Sequence, residues 1–184
     1  MKIGSKKDQP ITYDEELFAH FEKRYFHEVE RKDHMFQRLN IPLAAIIAIS
    51  GFYAVIFSLD LKSVETGWLI WFWIIAAISL LFMLAGFFFF VEALLGNMDK
   101  ALPTPQDIDD WKHKLVEYYK DEEDAKNTIS STIREHLFIS YMSCTTVVSI
   151  NNEIRANSLY RCNIFLVLAA AVAVGAYSIV KFTS

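Results

Sequence analysis

Apolar residues collect in three runs, Ile41–Leu59, Gly67–Val91 and Cys162–Val180, and the stretches around them alternate charged and apolar positions at helical spacing. Crossing a hydrocarbon core of about 30 Å takes roughly 20 apolar helical residues, and each run approaches or exceeds that length. The first holds no charged side chain. The second has only Glu92 just past its end, and the third only Lys181 just past its end. The pattern predicts an all-α integral membrane protein with three transmembrane helices and long cytoplasmic helical extensions. Its segments are an amphipathic helix in 1–40, a membrane hairpin in 41–96, a cytoplasmic helical region in 97–161 and a closing span in 162–180.

The flanking segments carry their own signals. Thr12-Tyr13-Asp14-Glu15 has the spacing of a capping box, so a helix is expected to start there and run to about Asn40, with Phe18, Phe21, Tyr25, Val29, Phe36 and Leu39 as its apolar stripe. That stripe favours packing against other helices over lying on the bilayer, because acids and bases are balanced on the polar face. Pro42 predicts a bend at the membrane edge. Thr104-Pro105 reads as a helix start, followed by a stripe of Ile108, Trp111, Leu115, Tyr118 and Tyr119. From Asp124 neither proline nor glycine occurs until Gly175, which predicts one helix of roughly 55 residues running into the third span. Ile129, Ile133, Leu137, Cys144, Val147 and Ile154 form its near-heptad stripe.

Composition agrees: 53% of the 184 residues are hydrophobic and 15% aromatic, high for a water-soluble domain. The charged stretch ahead of Ile41 sets the first span apart from a cleaved signal peptide. The net charge of −4 comes from 18 basic and 22 acidic residues in mixed order, which excludes general nucleic-acid affinity. Lys23, Arg24, Arg31, Lys32 and Arg38 precede the first span, and many bases follow the second, while the connection 60–66 has only Lys62. The positive-inside rule then places the N-terminus in the cytoplasm and the C-terminus outside. Trp68, Trp71 and Tyr177 suit the outer interface, or are ordinary lipid-facing bulk.

Catalytic chemistry finds no foothold. HExxH, CxxC and a glycine-rich phosphate loop are absent, the spans carry no acid or histidine, and the acidic run Asp121–Asp124 reads as a solvated face. No enzyme activity, cofactor or metal is expected. His20, His27 and His34 recur every seven residues, but successive members stand about 10 Å apart along a helix, too far to share one ion. Cys144 and Cys162 would lie about 27 Å apart on a continuous helix, so they cannot pair within one chain.

The unusual stretch is Ser140–Ser158, where serines, threonines and asparagines crowd a helix nearing the membrane, although they are poor interior helix residues in water. They suit a wet passage or hydrogen bonds between packed helices equally well. Asn151, Asn152, Arg155, Ser158 and Arg161 form a candidate anion or nucleotide site, since arginine offers a planar charged donor fork; pairing of the arginines with lipid headgroups is the plainer alternative. Ser140, Cys144, Val147, Ile154, Ala169, Val172 and Ala176 are candidate pore or oligomer-lining positions. The third span, rich in small residues, is placed at an oligomer centre and the second, with Phe87–Phe90, outside; packing of the alanines within a monomer is the alternative.

The helix Asp14–Asp33 after Tyr13, the membrane hairpin, the long helix ending in Asn151-Asn152-Glu153-Ile154-Arg155 with Leu159, and the closing span together resemble small bacterial membrane effectors of antiphage defence. These are the SLATT-type proteins and the membrane component of Hailong defence systems. SLATT-type proteins have two spans where this chain has three, which favours the Hailong-like comparison. The resemblance implies a homo-oligomeric pore, possible as a tetramer, in the bacterial inner membrane. It also implies gating by a nucleotide or short oligonucleotide from a partner nucleotidyltransferase, and depolarisation of the host on opening. A non-conducting scaffold that recruits a cytoplasmic partner is the competing expectation.

Overall fold

The computed structural model describes residues 15–59 and 65–183, and every regular element among them is a helix. These are α1 (Glu15–Arg38), α2 (Asn40–Phe57), α3 (Thr66–Leu95), α4 (Pro105–Tyr118) and α5 (Ala125–Thr183). Three of the helical stretches are long and apolar enough to cross a membrane. Thr12, Tyr13 and Asp14 of the expected capping box lie outside the described residues, as does Lys62 of the hairpin connection.

α1 starts at Glu15 with two acids in its first turn and Arg38 in its last, complementing its dipole at both ends. It gives way to α2 after one residue, Leu39, which keeps right-handed helical angles. The interruption falls where Pro42 requires it. A helix would pair the nitrogen of Pro42 with the carbonyl of Arg38, and proline has no N–H to give. Proline sits within the first turn of α2, where the missing donor costs little.

The chain divides into two compact units: 1–29 with 99–148, and 30–98 with 149–184. In the first, the aromatic stripe of α1 packs on α5. Phe18 and Tyr25 meet the ring of Tyr141 edge-on at 5.6 and 5.8 Å, and Phe21 meets Phe138 at 5.2 Å. Arg134 adds an ion pair to Glu15 at 3.2 Å. Most acids and bases of α1 are exposed or half-exposed, the histidines 20, 27 and 34 among the exposed, whereas Glu28 is buried with Arg24 3.9 Å away. α4 begins as its sequence predicts. The Thr104 hydroxyl accepts from the Asp107 backbone, the Asp107 carboxylate accepts from the Thr104 backbone, and Pro105 opens the helix.

These bonds hold the Asp107 carboxyl below its ordinary value, the Thr104 hydroxyl contributing most. Because the folded value is depressed, the stabilisation is complete above the ordinary value of 3.8 and fades as pH falls through and below it. Protection factors of the first α4 amides, taken against the intrinsic exchange rate at each pH, should therefore fall in acid in the wild type, and should be low and nearly independent of pH in Thr104→Ala. A protected first turn in that variant contradicts the cap.

The second unit is a three-helix core built on a 3.5-residue repeat. α3 buries Phe72, Ala76, Ser79, Gly86, Phe90 and Ala93, and α5 buries Leu159, Cys162, Leu166, Ala169, Ala173, Ala176 and Val180. Met35, Leu39, Pro42, Ile49, Tyr53 and Ile56 form the third seam, which continues in register across the α1–α2 break. Steps of three, four and seven are those of knobs-into-holes packing. Small residues set the closest approach: a Cβ on Gly86 would meet Leu166 Cδ2 at 3.1 Å.

One polar chain crosses the apolar core. Ser79 donates to the carbonyl of Ala169 at 2.7 Å, so the Tyr53 hydroxyl, in contact with Ser79 Oγ, is the donor of that pair. Both side chains are buried, and the pair ties α2, α3 and α5 together. Ser79→Ala leaves the Tyr53 hydroxyl buried without its acceptor and should cost about 1–2 kcal/mol, read as a lower melting temperature in detergent. Tyr53→Phe, which removes the donor and leaves Ser79 bonded, should cost less. The reverse order contradicts this assignment.

Candidate functional site

Four of the five expected ligand residues converge where α5 approaches the end of α3. Asn152, Arg155 and Leu159 continue the buried seam of the apolar core towards the N-terminus of α5, at the same steps of three and four. Polar side chains thus occupy seam positions. Asn151, Asn152, Arg155 and Ser158 are each 5% exposed or less. A polar group at such a position costs free energy relative to an apolar one, and is tolerated where its partners are fixed.

The partners come from α3 and the turn after it. The Ser158 hydroxyl lies 2.9 Å from a carboxylate oxygen of Glu92 and 3.0 Å from the Ile154 carbonyl, so its one proton is shared between a charged and a neutral acceptor. Asn151 Nδ2 donates to the Met98 carbonyl at 3.2 Å, holding the chain just beyond the turn. Arg155 lies with its guanidinium carbon 5.1 Å from the centre of the Phe36 ring, a cation–π distance.

Gly96 makes this possible. Its φ of 57° with ψ of −167° lies in a region that essentially only glycine enters, and it stops α3 there. A Cβ at this position would overlap the guanidinium and come within 2.6 Å of Cζ. The Arg155 side chain therefore packs directly on glycine backbone. The crevice beside it, lined by Met35, Phe36, Leu39, Ala93, Arg155 and Leu159, has no room for a water molecule. The cluster forms a latch between helices, and its donors face protein.

Arg161 stands apart from the latch. It is exposed, with its guanidinium 5.6 Å from the centre of the Phe89 ring. The seven lining positions divide as well. Cys144, Ala169 and Ala176 are buried at 1% exposure or less, Ser140, Val147 and Val172 are half-buried, and Ile154 is exposed. The alanine face of α5 is occupied by the chain's own α2 and α3, the second of the two arrangements its sequence allows. Burial raises the Cys144 thiol above its ordinary value, with Lys100 opposing, so it remains a protonated, apolar-like side chain.

Glu92, Gly96, Phe36 and Met98 are the site residues that the sequence did not single out as such. Glu92 read as the boundary of a span, yet α3 runs past it to Leu95. The signal for Gly96 was present as a glycine directly after an apolar helix end, the usual C-terminal stop. Phe36 and the Met98 carbonyl are brought in by tertiary structure alone. Among the described residues no cluster of three histidine, cysteine or acidic side chains could hold a metal. No family model, curated protein or solved structure matches the chain.

Proposed function

We propose that this protein is a multi-pass membrane effector of the bacterial inner membrane whose copies assemble into a gated ion pore, with the N-terminus cytoplasmic and the C-terminus outside. The observation that supports gating is the latch. A simple anchor would continue its apolar seam through Asn152 and Arg155, because replacing a buried polar cluster by apolar residues is commonly neutral or stabilising. Polar groups whose bonds can be exchanged for water or a ligand make a two-state element instead. In this reading the latched arrangement is the closed state, and opening frees Glu92, Arg155 and the Met98 carbonyl. A nucleotide or oligonucleotide signal from a partner nucleotidyltransferase, and depolarisation as an antiphage response, rest on the resemblance to Hailong-type and SLATT-type effectors.

Conduction requires several copies. The polar side chains within α2 and α3 are few, and Ser50 and Ser58 bond to their own helix carbonyls. A non-conducting scaffold is the second reading. It is favoured by the closure of Ala169, Ala173 and Ala176 inside one chain, which leaves Val167, Leu168 and Val174 facing outwards. Native mass spectrometry of the detergent-purified protein separates the two. The pore reading requires a closed ring of three or more subunits, and a monomer or dimer under all conditions would leave only the scaffold.

A further inference from the structure

The first unit carries a groove that the pore reading does not use. It has a volume of about 750 Å³ and lies between α4 and α5, lined by Ile108, Lys112 and Val116 from α4, Lys120 from the following turn, and Ala125, Lys126, Ile129, Ser130 and Ile133 from α5. Ile108, Lys112 and Val116 follow at steps of four, so they form one ridge of α4, and Lys126, Ile129, Ser130 and Ile133 form the facing ridge of α5. The volume is that of a small-molecule site.

The lining chemistry is narrow. Its floor is aliphatic, without an aromatic ring on which a nucleobase could stack and without an amide or carboxylate to read polar edges. Ser130 is the single uncharged polar side chain. The three lysines have no ion-pair partner among the described residues, and no acid lines the groove. Lysine presents a compact charge on an apolar stem, so its methylenes extend the aliphatic wall while the ammonium stays at the rim. The acids Asp121, Glu122, Glu123 and Asp124 stand exposed in the turn beside Lys120. They cancel the general positive field, so a small hydrophilic anion is not held by charge alone.

We propose that this groove binds a long-chain carboxylate, a free fatty acid, with its aliphatic tail between Ile108, Val116, Ile129 and Ile133 and its carboxylate among Lys112, Lys120 and Lys126. The proposal stands apart from conduction. A neutral chain would leave the lysines unused, and an anion without a chain would leave the floor in water. Each half of the ligand answers one half of the lining.

The test uses the full-length protein in amphipol, with dansyl-undecanoic acid as fluorescent probe. Saturable binding is expected, displaced by oleate and by neither oleyl alcohol, inorganic phosphate nor AMP. Lys112→Gln with Lys126→Gln should weaken oleate roughly tenfold, and Val116→Trp, which fills the groove at an exposed position, should abolish saturable binding with helical circular dichroism unchanged. Four results would overturn the proposal. They are equal displacement by oleyl alcohol, stronger displacement by AMP or by lysophosphatidylglycerol than by oleate, binding undiminished in both variants, and loss of subunit association in Val116→Trp without any saturable probe binding to wild type. The last would assign the groove to a second copy of the chain.

Discussion

Gly96→Ala is expected to be the most damaging substitution among the described glycines. The backbone there, with φ 57°, strains any L-residue by about 1–3 kcal/mol, and the new methyl would also displace the Arg155 guanidinium from its seat. Together these should approach or exceed 3 kcal/mol, a melting temperature lower by roughly 6–12 °C in detergent. The other glycines provide the scale. At Gly86 a Cβ meets only the Leu166 side chain closely, at 3.1–3.2 Å, so a smaller loss is expected; at Gly51 and Gly175 nothing lies within 4 Å, so alanine should be neutral or slightly stabilising. Adding Arg155→Ala to Gly96→Ala should recover the steric part of the loss and leave the backbone part. If Gly96→Ala melts with the Gly51 and Gly175 variants, the latch geometry is wrong.

Two latch variants should move stability and conduction in opposite directions. Asn151→Ala with Arg155→Ala removes the bond to the Met98 carbonyl and the packing on Phe36 and Gly96, and should cost about 2–4 kcal/mol. With the closed state weakened, this variant should leak ions without a signal. Asn152→Leu with Arg155→Met instead completes an apolar seam, and should be as stable as wild type or more so. It should also be silent, since the closed state no longer has exchangeable bonds. Proteoliposome flux and melting curves on the same preparations read both quantities. An equal leak from Ser79→Ala, which loses stability away from the latch, would reduce the latch to a structural element.

Three helices long and apolar enough to cross a membrane were legible because unbroken apolar runs leave little alternative, and the length of α5 because neither proline nor glycine interrupts Asp124 to Val174. The cap at Thr104 was legible because proline and threonine act locally. The seams inside the spans were not. In water an apolar stripe stands out against polar neighbours, whereas in α3 every face is apolar, and Phe72, Ala76, Ser79 and Gly86 differ from their neighbours only in the company they keep. For the same reason the alanines of α5 pointed equally to an oligomer axis and to the chain's own core. Asn151 to Ser158 stood out as polar residues near a membrane edge. Their inward direction depends on Glu92, Gly96 and Met98, far away in sequence, and no local pattern joins those segments.

Single-channel recording tests the central claim most directly: the purified protein, with native mass spectrometry establishing its subunit number, is added to planar bilayers beside the two latch variants. Rare, brief current steps are expected from the latched wild type, prolonged openings from Asn151→Ala with Arg155→Ala, and closed, silent assemblies from Asn152→Leu with Arg155→Met. Absence of current from wild type and from the weakened latch alike, in protein that is folded and assembled, would contradict the pore.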